Sequence, residues 1–336
     1  MKADMNVDFV GKRKIYYIIS LSIIIIGILA SFIFGVKLDI QFKGGTIIKY
    51  SYSGTLDRLK AEDVAKSVLK DAQISSKINE DFVTHNKTLV LEIDRSLNNE
   101  TQASLYKAIS EAFAENNVQK GQSNTVSASM GRETIGRSVL AVALASILII
   151  IYIAIRFWKI GGWPAGITAF AALLHDVIVG YVAFVVLRIP LNDNFIAVVL
   201  TILGYSINDT IVIYDRIREN RRLYGTKVPF ADVVNKSINQ SFSRSFNTGL
   251  ATFLSIAVLA VFSVAYKLDS VTSFAVPMML GVISGCYSTI CIAGPLWVSW
   301  ETHKEKKAAA EKERLAAERE EKKKKLEASK AKKKSK

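Results

Sequence analysis

The sequence is poor in the residues from which soluble active sites are built. Among its 336 residues there are two cysteines and three histidines. Cys286 and Cys291 stand five positions apart in one apolar stretch, hence on different faces of a helix. Neither a disulfide framework nor a metal set with ligand spacing can be assembled from them. A Gly-rich phosphate loop followed by Lys-Ser/Thr is missing, so ATP hydrolysis is not indicated. No nucleophile elbow is present either. These absences disfavour an enzyme and leave no cofactor to expect. Any energy used here must come from elsewhere, and a membrane-buried acid suggests protons.

Charge is also missing over long distances. Half of the residues are hydrophobic, and a soluble core of this size does not leave long uncharged runs. A bilayer core about 30 Å thick needs roughly 20 apolar residues per helix. Six stretches satisfy this: Ile15–Phe34, Ser138–Phe157, Pro164–Leu187, Phe195–Tyr214, Thr248–Tyr266 and Thr272–Trp300. The first is too long for a signal-peptide core and carries Phe32, Ile33 and Phe34 where small cleavage-site residues would stand. It reads as a retained anchor.

The net charge of +14 is unevenly placed. Lys2, Lys12, Arg13 and Lys14 precede the first span, and Arg156 and Lys159 follow the second. The loop after the fourth span carries Arg216, Arg218, Arg221, Arg222, Lys227, Lys236 and Arg244. The loops after the third and fifth spans have only Arg188 and Lys267. Basic residues in short loops stay on the cytoplasmic side, so both termini are expected in the cytoplasm. The tail, residues 301–336, has fifteen Lys/Arg and seven Asp/Glu after Glu301. It reads as a solubilising helix or disordered tail, or as a segment attracted to anionic lipids or to ribosomal RNA. Nothing in it resembles a sequence-specific nucleic-acid module.

Four segments follow: an N-terminal arm with the first span (1–36), an outer domain (37–131), five further spans (132–300), and the tail. The outer segment balances twelve Lys/Arg against twelve Asp/Glu. Its pattern runs strand (Thr46–Ser53), helix (Leu56–Asp71), strands (Ile74–Val83 and Thr88–Ile93, with a turn at His85–Asn86–Lys87), helix (Glu100–Glu115) and strand (Thr125–Met130). This βαββαβ order predicts a small ferredoxin-like α+β domain. The fold class expected is therefore a polytopic α-helical membrane protein with that domain between its first two helices.

Ionisable groups inside spans are costly unless paired or hydrated, so they mark function. The third span holds His175 and Asp176, and the fourth holds Asp209 beside Ser206, Asn208 and Thr210. Asp209 has no topological role and reads as a protonatable site, against a buried acid held permanently by hydrogen bonds. His175 and Asp176 point about 100° apart on a helix, so only one is expected to face a given partner. Either one suits a structural hydrogen bond as well as a functional role. Arg216 reads as a positive-inside anchor, and Arg244, just before the fifth span, as an anchor or a partner for the acid. Gly281 and Gly285 form a small-xxx-small pattern that permits close helix packing, within the bundle or against a partner. Pro277 and Pro295 bracket it and predict a kink.

The motifs together resemble the SecD/SecF protein-export family of the resistance-nodulation-division (RND) superfamily, on its SecF side. The likeness covers roughly residues 5–300. It rests on Asp8-Phe9-Val10-Gly11-Lys12, on Leu38-Asp39-Ile40-Gln41-Phe42-Lys43-Gly44-Gly45-Thr46, and on His175-Asp176. The most specific blocks run from Gly204-Tyr205-Ser206-Ile207-Asn208-Asp209-Thr210 to Arg216-Ile217-Arg218-Glu219-Asn220, and over Ser243-Arg244-Ser245-Phe246-Asn247-Thr248. Ser129-Met130-Gly131-Arg132 departs from the Val-Gly-Pro frequent in the family at that point. The resemblance implies a subunit of the bacterial cytoplasmic (inner) membrane that works with SecD beside the SecYEG channel. There it uses the proton gradient to draw preproteins outward, and a YidC-type insertase is a further implied partner. It implies a proton pathway through Asp209 and Arg244, with His175 and Asp176 as further candidates, and a structural motif at Asp39, Gly44 and Gly45. Superfamily transporters are built from two six-helix halves, which makes a separate SecD half the expected complement. A half-size RND small-molecule exporter and a passive translocon scaffold are the competing readings.

Overall fold

The computed structural model of the protein describes residues 6–80, 86–225, 227–266 and 268–334. His85 of the expected turn and Lys267 lie outside the described residues, as does Lys2. Among the described residues, six helices are long and apolar enough to cross a membrane. A helix suits that medium because it satisfies its backbone hydrogen bonds internally, where no water is available to do so.

The first, α1 (Arg13–Phe34), packs on the third spanning helix, α6 (Gly162–Val186). Gly27 permits the approach: a Cβ there would stand 2.1 Å from Cγ2 of Val182. Ser31 and Tyr181 hydroxyls lie 3.0 Å apart across the same seam. A one-turn helix missed by periodicity, α2 (Ile40–Lys43), follows; four residues carry no readable period. The Asp39 carboxylate accepts a hydrogen bond from the Gln41 N–H and caps it. Burial pushes the Asp39 carboxyl up from its ordinary value, against that hydrogen bond.

The domain between the first two spans then runs β1 (Gly45–Tyr52), α3 (Arg58–Val68), β2 (Ile74–Glu80), β3 (Lys87–Ile93), α4 (Asn99–Ala112) and β4 (Gln119–Val126). All neighbouring strands are antiparallel, in the order β2-β3-β1-β4, which is the ferredoxin-like arrangement. Alternation along β1 turns Ile48, Tyr50 and Tyr52 inward, where Leu89, Leu91, Leu105 and Ile109 complete the core. The closing strand differs from expectation. It spans Gln119–Val126, not Thr125–Met130, because a polar edge strand shows no apolar alternation. Its pairing with β1 holds it instead. Met130 already belongs to the second spanning helix, α5 (Ala128–Arg156), which Ser127 caps through the Met130 N–H. The boundary expected at 131/132 thus falls within the first turn of α5.

Gly44, at φ +82°, and Gly45, at φ +149°, lie at this junction. A Cβ on Gly44 would meet the Ala128 backbone at 2.8 Å, and one on Gly131 would meet the Phe42 carbonyl at 2.5 Å. The departing Ser-Met-Gly-Arg segment thus supplies its own close approach through Gly131. Backbone bonds between Lys37, Asp39 and Leu191 tie the domain's base to the loop that follows α6.

The fourth and fifth spanning helices, α7 (Asp193–Tyr224) and α8 (Phe230–Ala265), run well past their apolar stretches. The sixth comprises α9 (Asp269–Ser288), a π-helical turn at Thr289–Ala293, and α10 (Gly294–Lys334), which continues into the tail. Pro277 lies inside α9, and the irregularity falls just before Pro295. Pro295 has no N–H for the carbonyl one turn back, and the wider π turn accommodates its ring.

Candidate functional site

Two acids stand on adjacent helices, and their surroundings differ. Asp176, midway along α6, is fully buried. Its Oδ2 accepts hydrogen bonds from Ser206 Oγ of α7 at 2.7 Å and Ser288 Oγ of α9 at 2.6 Å. Its Oδ1 accepts one from Ser284 Oγ of α9 at 2.6 Å. One carboxylate therefore joins three helices. His175 Nδ1 lies 3.3 Å from Asp176 Oδ1 and 3.5 Å from Ser284 Oγ, while its Nε2 is buried with no partner among the described residues. The expectation that only one of this pair can serve a given partner fails. Ser284 reaches both, because the imidazole turns back towards its neighbour's carboxylate.

Asp209 lies on α7, buried at 6% exposure. Its Oδ1 accepts one hydrogen bond, from Ser245 Oγ of α8 at 2.6 Å. Its Oδ2 is buried and has no hydrogen-bond partner among the described residues. Arg244 precedes Ser245 on the same helix. Its side chain is exposed and lines a cavity between α7 and α8, and among the described residues no hydrogen bond or ion pair joins it to Asp209. Arg216 turns elsewhere, donating to Gln240 Oε1 at 2.7 Å and to Glu219 Oε2 at 2.6 Å. The arrangement leaves one acid saturated by fixed donors and the other with a vacant oxygen, able to hold a proton or to receive a cation.

Sequence reasoning named both acids and Arg244 but not Ser245, Ser284 or Ser288. A readable signal existed for the last two: hydroxyls one turn apart in an apolar helix. Ser245 lies in the Ser243–Thr248 motif, where nothing in the pattern separates it from Ser243. The packing that brings α9 so close rests on glycine. A Cβ on Gly281 would stand 2.3 Å from Cδ1 of Ile202 on α7, and one on Gly285 would stand 3.3 Å from Cβ of Ser206. Both face α7 within the bundle. On α8, a Cβ on Gly249 would overlap Cys286 Sγ at 2.1 Å. Among the described residues, no three His, Cys, Asp or Glu side chains converge as a metal set.

Comparison with known proteins places these features in a family. A profile described as "Protein export membrane protein SecD/SecF, C-terminal" matches residues 105–303. The chain is 35% identical over 294 residues to "Protein translocase subunit SecF" of Sebaldella termitidis, covering 87% of this chain and 91% of that one. It is 32% identical to "Protein translocase subunit SecDF" of Bacillus subtilis, covering 90% of this chain and 39% of that longer one. The crystal structure of SecDF from Thermus thermophilus, described as "a translocon-associated membrane protein", superposes with a TM-score of 0.73 at 28% identity. That match covers 89% of this chain and 39% of the other, so this chain spans about two fifths of the SecDF proteins. The multi-pass, six-helix membrane protein described above belongs to the SecD/SecF family of protein-export membrane proteins.

Proposed function

We propose that this chain works with a SecD partner beside the SecYEG channel of the bacterial cytoplasmic membrane, using the proton gradient to promote preprotein translocation. Both termini lie in the cytoplasm on this reading, preproteins are the cargo, and a YidC-type insertase is a further neighbour. The SecDF relatives carry SecD and SecF in one name and are more than twice as long. A separate SecD chain is the simplest complement to this one.

The observation that carries the reading is the half-satisfied carboxylate of Asp209. One oxygen is fixed by Ser245, the other is buried without a hydrogen-bond partner among the described residues, and Arg244 stands one residue from Ser245 on α8. Protonated, the acid suits its apolar surroundings. Charged, it calls for an approaching Arg244. Alternation between these two arrangements loads the site from one side and empties it to the other. One charge crossing 100 mV releases about 2.3 kcal/mol, enough to shift a two-state equilibrium by more than tenfold. His175, with its free Nε2, is a further candidate on the path. The saturated Asp176 serves as the fixed point that holds α6, α7 and α9 around it.

Asp209→Asn keeps shape and hydrogen bonding but removes the titration. In proteoliposomes holding the SecD partner and SecYEG, the variant is expected to insert and co-purify normally, yet lose gradient-dependent export. Unchanged gradient-dependent export would leave Asp209 a structural acid and favour the scaffold reading.

A further inference from the structure

The ends of α7 and α8 line an open cavity of about 720 Å3 that the proton reading enters only through Arg244. Its lining includes four arginines, Arg216, Arg218, Arg222 and Arg244, against two acids, Asp215 and Glu219. The acids are already engaged. Asp215 takes Arg218 at 2.8 Å and Arg156 at 3.0 Å. Glu219 takes Arg216 at 2.6 Å. Arg222 and Arg244 remain. Both are exposed, and among the described residues neither makes a hydrogen bond or an ion pair. Gln240 accepts from Arg216 and Asn220 through its amide oxygen, which leaves its amide nitrogen as a further donor beside them.

The depth of the cavity narrows the choice of anion. The apolar stretch of α7 ends at Tyr214 and that of α8 begins at Thr248. The cavity, lined from Val212 to Leu223 and from Gln240 to Arg244, thus lies where both apolar stretches give way to charged residues, the level at which headgroups are expected. Leu223, exposed beside the arginines, offers apolar surface at the rim. Guanidinium groups bind phosphate oxygens through paired, charge-assisted hydrogen bonds. Basic pockets between membrane helices recruit anionic headgroups in this way.

We propose that this cavity binds the phosphate of an anionic phospholipid headgroup, with Arg222 and Arg244 as its principal ligands. The binding stands independently of proton coupling. One consequence rests on the proton reading: an occupied site holds Arg244 towards the headgroup and away from the vacant oxygen of Asp209, so lipid and carboxylate compete for the same cation.

The test is native mass spectrometry of the full chain, alone and with SecD, in neutral detergent. Phosphatidylglycerol, phosphatidylcholine and inorganic phosphate are titrated separately. Phosphatidylglycerol is expected to be retained over phosphatidylcholine by roughly tenfold, the scale of one charge-assisted contact. Arg222→Gln should abolish that preference, Arg222→Lys should retain most of it, and Arg314→Gln, in the tail, should leave it intact. Equal retention of the two lipids, or equal loss in Arg222→Gln and Arg314→Gln, would overturn the site. Displacement of phosphatidylglycerol by equimolar inorganic phosphate would assign the cavity to a soluble anion and overturn the lipid assignment. So would loss of the preference once SecD is bound. Gradient-dependent export does not enter the measurement, so failure here is distinct from failure of the proton reading.

Discussion

At the scale of single residues, Asp176 and Asp209 differ in how many donors reach them. Three serine hydroxyls converge on Asp176, and one reaches Asp209. Interhelical hydrogen bonds in membranes average about 0.6 kcal/mol each. Asp176→Ala should therefore destabilise the folded bundle by about 2 kcal/mol, and Asp209→Ala by well under 1 kcal/mol. Unfolding of the purified protein in mixed detergent micelles, followed by helical circular dichroism, measures both. The reverse ranking would mean that the serine clasp does not hold α6, α7 and α9 together. The two acids were legible in the sequence because a carboxylate inside an apolar stretch has few bland explanations. Their different states were not. They depend on serines between 30 and 112 positions away in the chain, which only the packing of the helices brings within reach.

At the scale of elements, the six spans declared themselves by hydropathy, while their ends did not. Polar first turns such as Phe230–Asn247 of α8 are invisible to an apolar count, yet they carry Arg244 and Ser245. The edge strand β4 was misplaced for a related reason, since pairing with β1 and not its own pattern decides where it lies. Close helix contact was readable as a glycine spacing, but its partner was not. The structure sets Gly281 against Ile202, which is fully buried on α7. Gly281→Ala should overpack this contact and cost about 1–3 kcal/mol. Ile202→Ala should leave a void and cost about 2–5 kcal/mol. Each change supplies what the other removes, so the double variant should be more stable than the sum of the two costs by about 0.5–3 kcal/mol. The same micelle unfolding assay gives the cycle. Strict additivity would place the α7–α9 contact elsewhere.

At the scale of the whole molecule, the chain ends and loops sort into two groups by contact. The base of the α+β domain is bonded to the α6–α7 loop through Lys37, Asp39 and Leu191, and the Arg188 guanidinium donates to the Phe34 carbonyl at the end of α1. Asn194, at the start of α7, donates to the Ser270 carbonyl at the start of α9. These segments share one face. On the other, Asn235 and Asn239 of α8 clasp the backbone of Val7 and Phe9 ahead of α1. Arg156, at the end of α5, pairs with Asp215 of α7 on that face too. The proposed compartments follow from charge. The second face carries the basic loops, and short basic loops remain cytoplasmic. A cysteine introduced at Lys87, at the start of β3, should react with a membrane-impermeant maleimide added to intact spheroplasts. One at Lys227, between α7 and α8, should react only after the membrane is opened. The unmodified chain serves as the control, since Cys286 and Cys291 lie within the helical bundle and should stay silent. Labelling of Lys227→Cys from outside with Lys87→Cys protected would invert the molecule. It would also place the arginine cavity in the outer leaflet, and the proton path would have to run the other way.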